Sequence, residues 1–274
     1  MTDKTSHQDS KLGRDLDYPQ TYDAGLLDPI PRRLARDALW GDEVPEFKGF
    51  DLWTAFELSW LNSNGVPQVA IAEFSFPAHS ANIIESKSFK YYLNSFNQMT
   101  YATRNIVAEV LKKDLSVCVQ DSVDVRIYGV EDFPQVAAIS GYCVDQLDVA
   151  VDCYEPNPDL LECSSKHVER KQLYSHLLKS NCPVTGQPDW ATVWIEYSGK
   201  EILPESFLRY VVSYRGHQDF HESCVEAFFK DIMLKCQPSF LSVFARYTRR
   251  GGLDINPYRS SAEVGLPFGR LPRQ

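Results

Sequence analysis

At 274 residues with 43% hydrophobic content, the chain is long enough for one large or two medium domains with a well-filled core. A formal charge of -9 and a pI near 5.2 argue against nucleic acid or an anionic membrane as the main partner, because binding a polyanion needs a net basic face. Residues 1–16 are polar and carry no signal peptide, and no run approaches the ~18 apolar residues of a membrane span, so a cytoplasmic protein is expected.

Residues 1–20 read as a mobile tail. The first strand is expected over 51–61, where Leu52, Trp53, Phe56, Leu58 and Trp60 are interleaved with polar residues. Asn62-Ser63-Asn64-Gly65 turns the chain into a second strand at 68–76. Helices are expected at 86–97 and 104–113, and strands at 123–130 and 137–149. Pro156, Asn157 and Pro158 mark a linker. Beyond it, strands are expected at 172–178 and 191–197, helices at 205–214 and 220–235, and a strand at 241–247. The first half thus reads strand-strand-helix-helix-strand-strand and the second repeats that order as far as 247, so the chain divides into two modules expected to share the pattern, 21–155 and 156–274.

The halves also echo each other in residues. Ser88-Phe89-Lys90-Tyr91 with Ser95-Phe96 matches Ser206-Phe207-Leu208-Arg209 with Ser213-Tyr214, and Gly65-Val66-Pro67-Gln68 matches Gly186-Gln187-Pro188-Asp189. With those turns aligned, Leu61 falls opposite Cys182 and Gln68 opposite Asp189. Glu85-Ser86-Lys87, in turn, has no charged counterpart at Ile202-Leu203-Pro204. Drift between duplicated halves would produce this asymmetry, and so would a single site whose parts were divided between them.

Seven cysteines are present, with no Cys-x-x-Cys. Cys163-Ser-Ser-Lys-His167 is the one Cys/His pair at a ligand-like spacing, and alone it is too weak for a metal to be expected. Cys182 differs in context: Pro183, Gly186 and Pro188 stiffen its loop, and Asp189 closes it. A lone thiol there is compatible with a small apolar residue. Asp189 alone suits a turn or cap, His221 a structural position beside a helix start, and Arg249/Arg250 a solvated basic face.

Four motifs resemble those of the nitrile reductase family QueF, the NADPH-dependent 7-cyano-7-deazaguanine reductases. They are Glu-Ser-Lys-Ser-Phe-Lys-Tyr-Tyr-Leu-Asn-Ser-Phe at 85–96, Cys-Pro-x-Thr-Gly-Gln-Pro-Asp at 182–189, Phe-His-Glu at 220–222 and Arg-Arg-Gly-Gly-Leu-Asp-Ile-Asn-Pro at 249–257. The likeness spans 22–259 and is to the long, two-module form. It implies an α+β tunnelling fold (T-fold), whose antiparallel sheets assemble into a barrel-like ring with helices outside. It also implies reduction of the nitrile of 7-cyano-7-deazaguanine (preQ0) to the aminomethyl base (preQ1) with two NADPH, in queuosine biosynthesis, by a homo-oligomer expected to be a dimer.

The same resemblance implies the residue roles. Cys182 adds to the nitrile to give a covalent thioimide, and Asp189 donates and recovers the proton. Ile84, Glu85, Ser86, His221 and Glu222 bind the substrate, the Glu222 carboxylate matching the amino-pyrimidinone edge. Ser86, Lys87, Arg250 and Gly251 bind NADPH; no Gly-x-Gly-x-x-Gly follows a strand, so a Rossmann domain is not indicated. Two rival readings are a thiol-dependent nitrile or amide hydrolase and a non-catalytic purine- or pterin-binding module of the same fold.

Overall fold

The computed structural model describes residues 18–41, 46–263 and 265–274. Of the tail expected over 1–20, residues 1–17 lie outside the described residues. Near the start, Pro29–Pro31 (β1) pairs with Asn82–Ile84 (β4) in a small antiparallel sheet, and Arg32–Trp40 (α1) follows β1 directly. The sequence reading holds none of these three: the two strands are too short to show a period, and α1, whose Leu34, Ala35, Ala38 and Leu39 do carry helical spacing, is missed.

The first half then supplies Lys48–Leu61 (β2), Pro67–Pro77 (β3), Ser86–Asn94 (α2), Arg104–Val119 (α3) and Asp124–Tyr128 (β5). Tyr142–Cys143 (β6) follows. The second half supplies Cys163–Asn181 (β7), Pro188–Ile202 (β8), Pro204–Ser213 (α4), His221–Cys236 (α5), Phe240–Tyr247 (β9) and Leu253–Ser260 (β10). The architecture is mixed α+β, with five α-helices and one large sheet among the described residues. That sheet has eight strands in the order β5-β3-β2-β10-β9-β8-β7-β6, antiparallel except for β6–β7. It is open: β5 and β6 stand at its two edges.

The two halves join where β10 pairs with β2 from Leu253↔Ala55 to Ser260↔Lys48. Beneath α2 and α3 lies one apolar cluster, including Trp53, Phe74, Phe89 and Leu111; beneath α4 and α5 lies another, including Val193, Phe207, Phe228 and Val243. On the opposite face Trp194, Phe244 and Tyr258 are covered by Phe268 and Leu271 from the C-terminal segment. β9 and β10 are therefore buried on both faces, even though β10 alternates apolar and polar residues at Leu253, Asp254, Ile255 and Asn256.

Several boundaries differ from expectation. α3 does not stop at 113: Val107, Leu111, Leu115 and Val119 form a fully buried i, i+4 stripe that carries it to a left-handed Gln120. The strand expected at 137–149 shrinks to β6, and it joins β7 of the other half rather than its own. Gly141, at φ 114, interrupts it, and the Ser140 carbonyl instead accepts from Trp194 Nε1 at 3.1 Å. β7 and β8 outrun their apolar stretches because their outer ends are polar ladders laced by pairs such as Arg170–Glu196 at 2.7 Å.

The repeat reappears as matched hydrogen bonds. Ser88 Oγ donates to the Glu85 carbonyl (2.7 Å) and accepts from Asp28 N (3.0 Å), while Ser206 Oγ donates to the Leu203 carbonyl (2.8 Å) and accepts from Glu162 N (3.1 Å). Tyr92 and Tyr210 donate to Asp114 and Asp231, both at 2.7 Å. The match also shifts two alignments. Glu85 and Leu203 are equivalent N-caps, so Ser86-Lys87 stands opposite Pro204-Glu205. Asn62 N bonds Val66 O and Cys182 N bonds Gln187 O, so the second turn is one residue longer and Cys182 stands opposite Asn62, not Leu61.

No helix among the described residues is long and apolar enough to cross a membrane.

Candidate active site

Two helix starts and two hairpin turns converge on one cavity of about 250 Å³. From the first half come Ile84 at the end of β4, Glu85 capping α2, and Ser86 and Lys87 in its first turn. From the second come Cys182 in the β7–β8 turn, Asp189 near the start of β8, His221 and Glu222 at the start of α5, and Arg250 and Gly251 in the β9–β10 turn. All ten residues singled out from the sequence line this one space. Their placement follows from topology: β10 docks on β2, which sets the second half's turns beside the start of α2.

The β7–β8 turn is closed by the bond from Gly186 N to the Cys182 carbonyl (3.0 Å) and by Cys182 N to Gln187 O (2.9 Å). Gly186 adopts φ 68, which favours glycine. Burial alone would raise the Cys182 thiol. Hydrogen bonds from the Thr185 hydroxyl and backbone, from Val184 N–H and from the Arg250 guanidinium outweigh it and hold the thiol below its ordinary value. The shift runs in the direction that favours a nucleophilic thiol.

Asp189 is buried between Arg250 and His221. Arg250 approaches Oδ1 at 3.2 Å, at ion-pair distance without hydrogen-bond alignment, and His221 Nε2 lies 3.4 Å from Oδ2. Arg250 therefore touches both the sulfur and the carboxylate. The sequence reading assigns it to cofactor alone, and a contact between separate hairpin turns leaves no local signal.

Glu85 spends both carboxylate oxygens on α2, accepting from Lys87 N (2.8 Å) and Ser88 N (2.7 Å). Glu222 is buried, and its carboxyl is pushed up to about 7: burial acts first and the Asp51 carboxylate adds to it, against His221 and Arg32. Behind it a charge network is sealed into the fold. Arg259 contacts Asp51 at 2.8 Å and Glu226 at 2.8 Å, with Arg32 on Asp51 (2.6 Å) and Arg36 on Glu226 (2.7 Å). This network ties α1, β2 and β10 to α5, and so fixes the helix that carries His221 and Glu222.

Two lining or supporting residues, Thr185 and Tyr247, escape the sequence reading, and Lys90 is legible there only as part of a basic cluster with Lys87 that suits a small anion. Thr185 lies inside the Cys182 motif, and Lys90 sits one helical turn from Ser86, so both had a spacing signal. Tyr247 had none. Lys90 lies below its usual range, through burial first and then the nearby Arg250 cation. Gly251, with φ 60, lies against it: a Cβ there would meet Lys90 Nζ at 3.1 Å. An anionic group between Lys90 and Arg250 would relieve their repulsion, so this corner fits a phosphate-bearing cofactor.

A family model described as the N-terminal part of nitrile reductase, 7-cyano-7-deazaguanine-reductase, matches residues 18–127, and one described as QueF-like protein matches 188–265. A Teredinibacter turnerae protein named NADPH-dependent 7-cyano-7-deazaguanine reductase is 54% identical over 257 residues, covering 94% of this chain and 93% of its own length. The chain belongs to the NADPH-dependent 7-cyano-7-deazaguanine reductase family. A second reductase of that name, from Saccharophagus degradans, is 50% identical over 266 residues, covering 96% of this chain and 98% of its own. A solved structure titled as the archaeosine synthase QueF-Like in the apo form is 23% identical and covers 37% of this chain and 99% of its own, with a TM-score of 0.31.

Proposed function

We propose that this reductase converts the nitrile of 7-cyano-7-deazaguanine to the aminomethyl group through a covalent thioimide on Cys182. The observation that carries the reading is the thiol held below its ordinary value beside a buried carboxylate, in a cavity lined by both halves. The chain is an NADPH-dependent nitrile oxidoreductase by family, which sets aside the hydrolase and the non-catalytic module.

A bare nitrile accepts hydride poorly. Sulfur of Cys182 bonds to the nitrile carbon, one C–N π-bond becomes an N–H bond with a proton from Asp189, and the thioimide is the better acceptor. NADPH, when bound, supplies hydride to that carbon, once to the thioimide and once to the imine left when sulfur departs. Each stage also takes up a proton, so two hydrides and two protons give the amine. Arg250 steadies the departing thiolate and Asp189 relays the protons.

Glu222 takes the donor edge of the base, with His221, Ile84, Glu85 and Ser86 around it. Glu85, already bonded to two backbone N–H groups, acts mainly by shaping the start of α2. Ser86, Lys87, Arg250 and Gly251 hold the NADPH phosphates, with Lys90 beside them. The modules are 21–155 and 156–274, and the open sheet closes into a T-fold ring in a homodimer through its free edges. All seven cysteines are free, as suits a reducing cytoplasm.

Mass spectrometry of the protein mixed with 7-cyano-7-deazaguanine and no NADPH tests this. An adduct of the substrate's mass on Cys182, absent in Cys182→Ala, is expected. An adduct elsewhere, or turnover surviving in Cys182→Ala, sinks the assignment.

A further inference from the structure

Away from the cavity, β6 is held to β7 by a strand of two residues, yet three ligand-type side chains gather there. Cys143 Sγ, an Asp145 carboxylate oxygen and a His176 ring nitrogen all lie within 4.8 Å of one another, and all three residues are half-buried. Among the described residues this is the one such group of three. Cys163 and His167, the pair at a ligand-like spacing in the sequence, do not belong to it. The signal was hidden because Cys143 and Asp145 lie on the crossing segment while His176 lies on β7.

Each ligand is already oriented. Asp145 Oδ1 accepts from Ser175 Oγ (2.6 Å), and Oδ2 accepts from His176 N (3.0 Å), which leaves lone pairs on both oxygens. His176 Nδ1 lies 2.8 Å from the hydroxyl of Thr192, itself buried, and this contact sets the plane of the ring. Tyr174 packs edge-on against the same ring at 5.4 Å.

We propose that Cys143, Asp145 and His176 form a transition-metal site that takes Zn(II) and pins the crossing segment to the sheet edge. One sulfur, one nitrogen and one oxygen donor suit a borderline-soft ion, and half-burial leaves room for water as the fourth ligand. Zinc at ordinary bond lengths holds its ligand atoms roughly 3.5 Å apart, so the group needs to close by about 1 Å. A two-residue strand permits that movement. Binding exchanges the Cys143 thiol proton for the ion, and the proton leaves to solvent. The site lies on the segment that crosses between the halves, so the ion's effect is on stability rather than on hydride transfer.

Reduced, metal-stripped full-length chain titrated with Co(II) decides the matter. One cobalt per chain is expected, with a thiolate-to-cobalt charge-transfer band that Zn(II) displaces. The band should persist in Cys182→Ser and vanish in Cys143→Ser. Thr192→Val keeps all three ligands but frees the ring, and should weaken binding about tenfold. Zn(II) should raise the midpoint of thermal unfolding of the parent chain and leave that of Cys143→Ser unmoved. No thiolate band in the parent chain, or a band that survives Cys143→Ser, overturns the proposal. If Cys143→Ser does not fold, His176→Gln decides in its place: binding weakened at least tenfold supports the site, and unchanged affinity refutes it.

Discussion

His221 lies flat on Tyr247, with ring centroids 3.8 Å apart and planes 4° from parallel. The stack sets the plane of the imidazole, whose Nε2 faces Asp189 Oδ2 at 3.4 Å. Asp189 is thereby held from one side by a histidine on α5 and from the other by Arg250. Tyr247 is the last residue of β9, so the acid's geometry depends on a strand that bears no catalytic group of its own.

Tyr247→Leu should lower kcat/KM for the nitrile by roughly 2- to 10-fold, matching the 0.5–1.5 kcal/mol of an aromatic pair. Tyr247→Phe keeps the stack and should stay near the parent value. A folded Tyr247→Leu protein with unchanged kcat/KM would remove this positioning role.

Asp189→Asn should remain folded and lose about 10²–10⁴-fold in turnover, the range of a general acid–base group. An amide cannot donate and recover a proton in this way. Steady-state rates at saturating NADPH check it, and a loss well under tenfold counts against proton transfer by Asp189.

Glu222 makes stability depend on pH in a defined direction. Its folded pKa, about 7, lies above the ordinary 4.5, through burial first and then Asp51. The folded state thus holds this proton more tightly than the unfolded state, and stability falls as pH rises from 4.5 to about 7. The penalty, about 3 kcal/mol once complete, is absent in Glu222→Gln. The variant's Tm should therefore gain on the parent's between about pH 5 and pH 8, while its KM for the deazaguanine rises. Parallel Tm curves for the two proteins would contradict this.

Arg259→Met removes the cation shared by Asp51 and Glu226, leaving each with one arginine in a buried site. A loss of about 3 kcal/mol in chemical denaturation is expected. Because β10 completes its pairing on β2, a 158–274 fragment should likewise be unstable or, if folded, inactive; a folded fragment reducing the nitrile at the full rate refutes the shared site.

Lys87→Ala should raise the KM for NADPH by about tenfold or more with little change in kcat, because a phosphate contact made equally in ground and transition states affects binding alone. A fall in kcat at unchanged KM would move Lys87 out of the cofactor site.

Local order alone was enough to show some of this. The stripe of α3 and the repeated serine and tyrosine positions of α2 and α4 are periodic, so α2 to α5 and the hairpins β2–β3 and β7–β8 could be read in outline, but α1 and the last turns of α3 were not. The Cys182 loop was legible because proline and glycine restrict the backbone within a few residues. Long motifs identified the other site residues, although they could not say what touches what.

Only the tertiary structure decided the rest. Pairing of β10 with β2 is a contact between residues some two hundred positions apart, and no local propensity encodes it. That pairing brings the start of α2 to the Cys182 turn and places Arg250 between sulfur and carboxylate. It also stacks the halves into one open sheet, while the segment expected as a fourth strand crosses to β7. The sequence by itself determined which chemistry is available, because residue type sets what a side chain can donate, accept or attack. Which groups share a cavity, and how hydrogen bonds shift Cys182 down while burial and the Asp51 charge shift Glu222 up, depends on distances that exist only once the chain has folded.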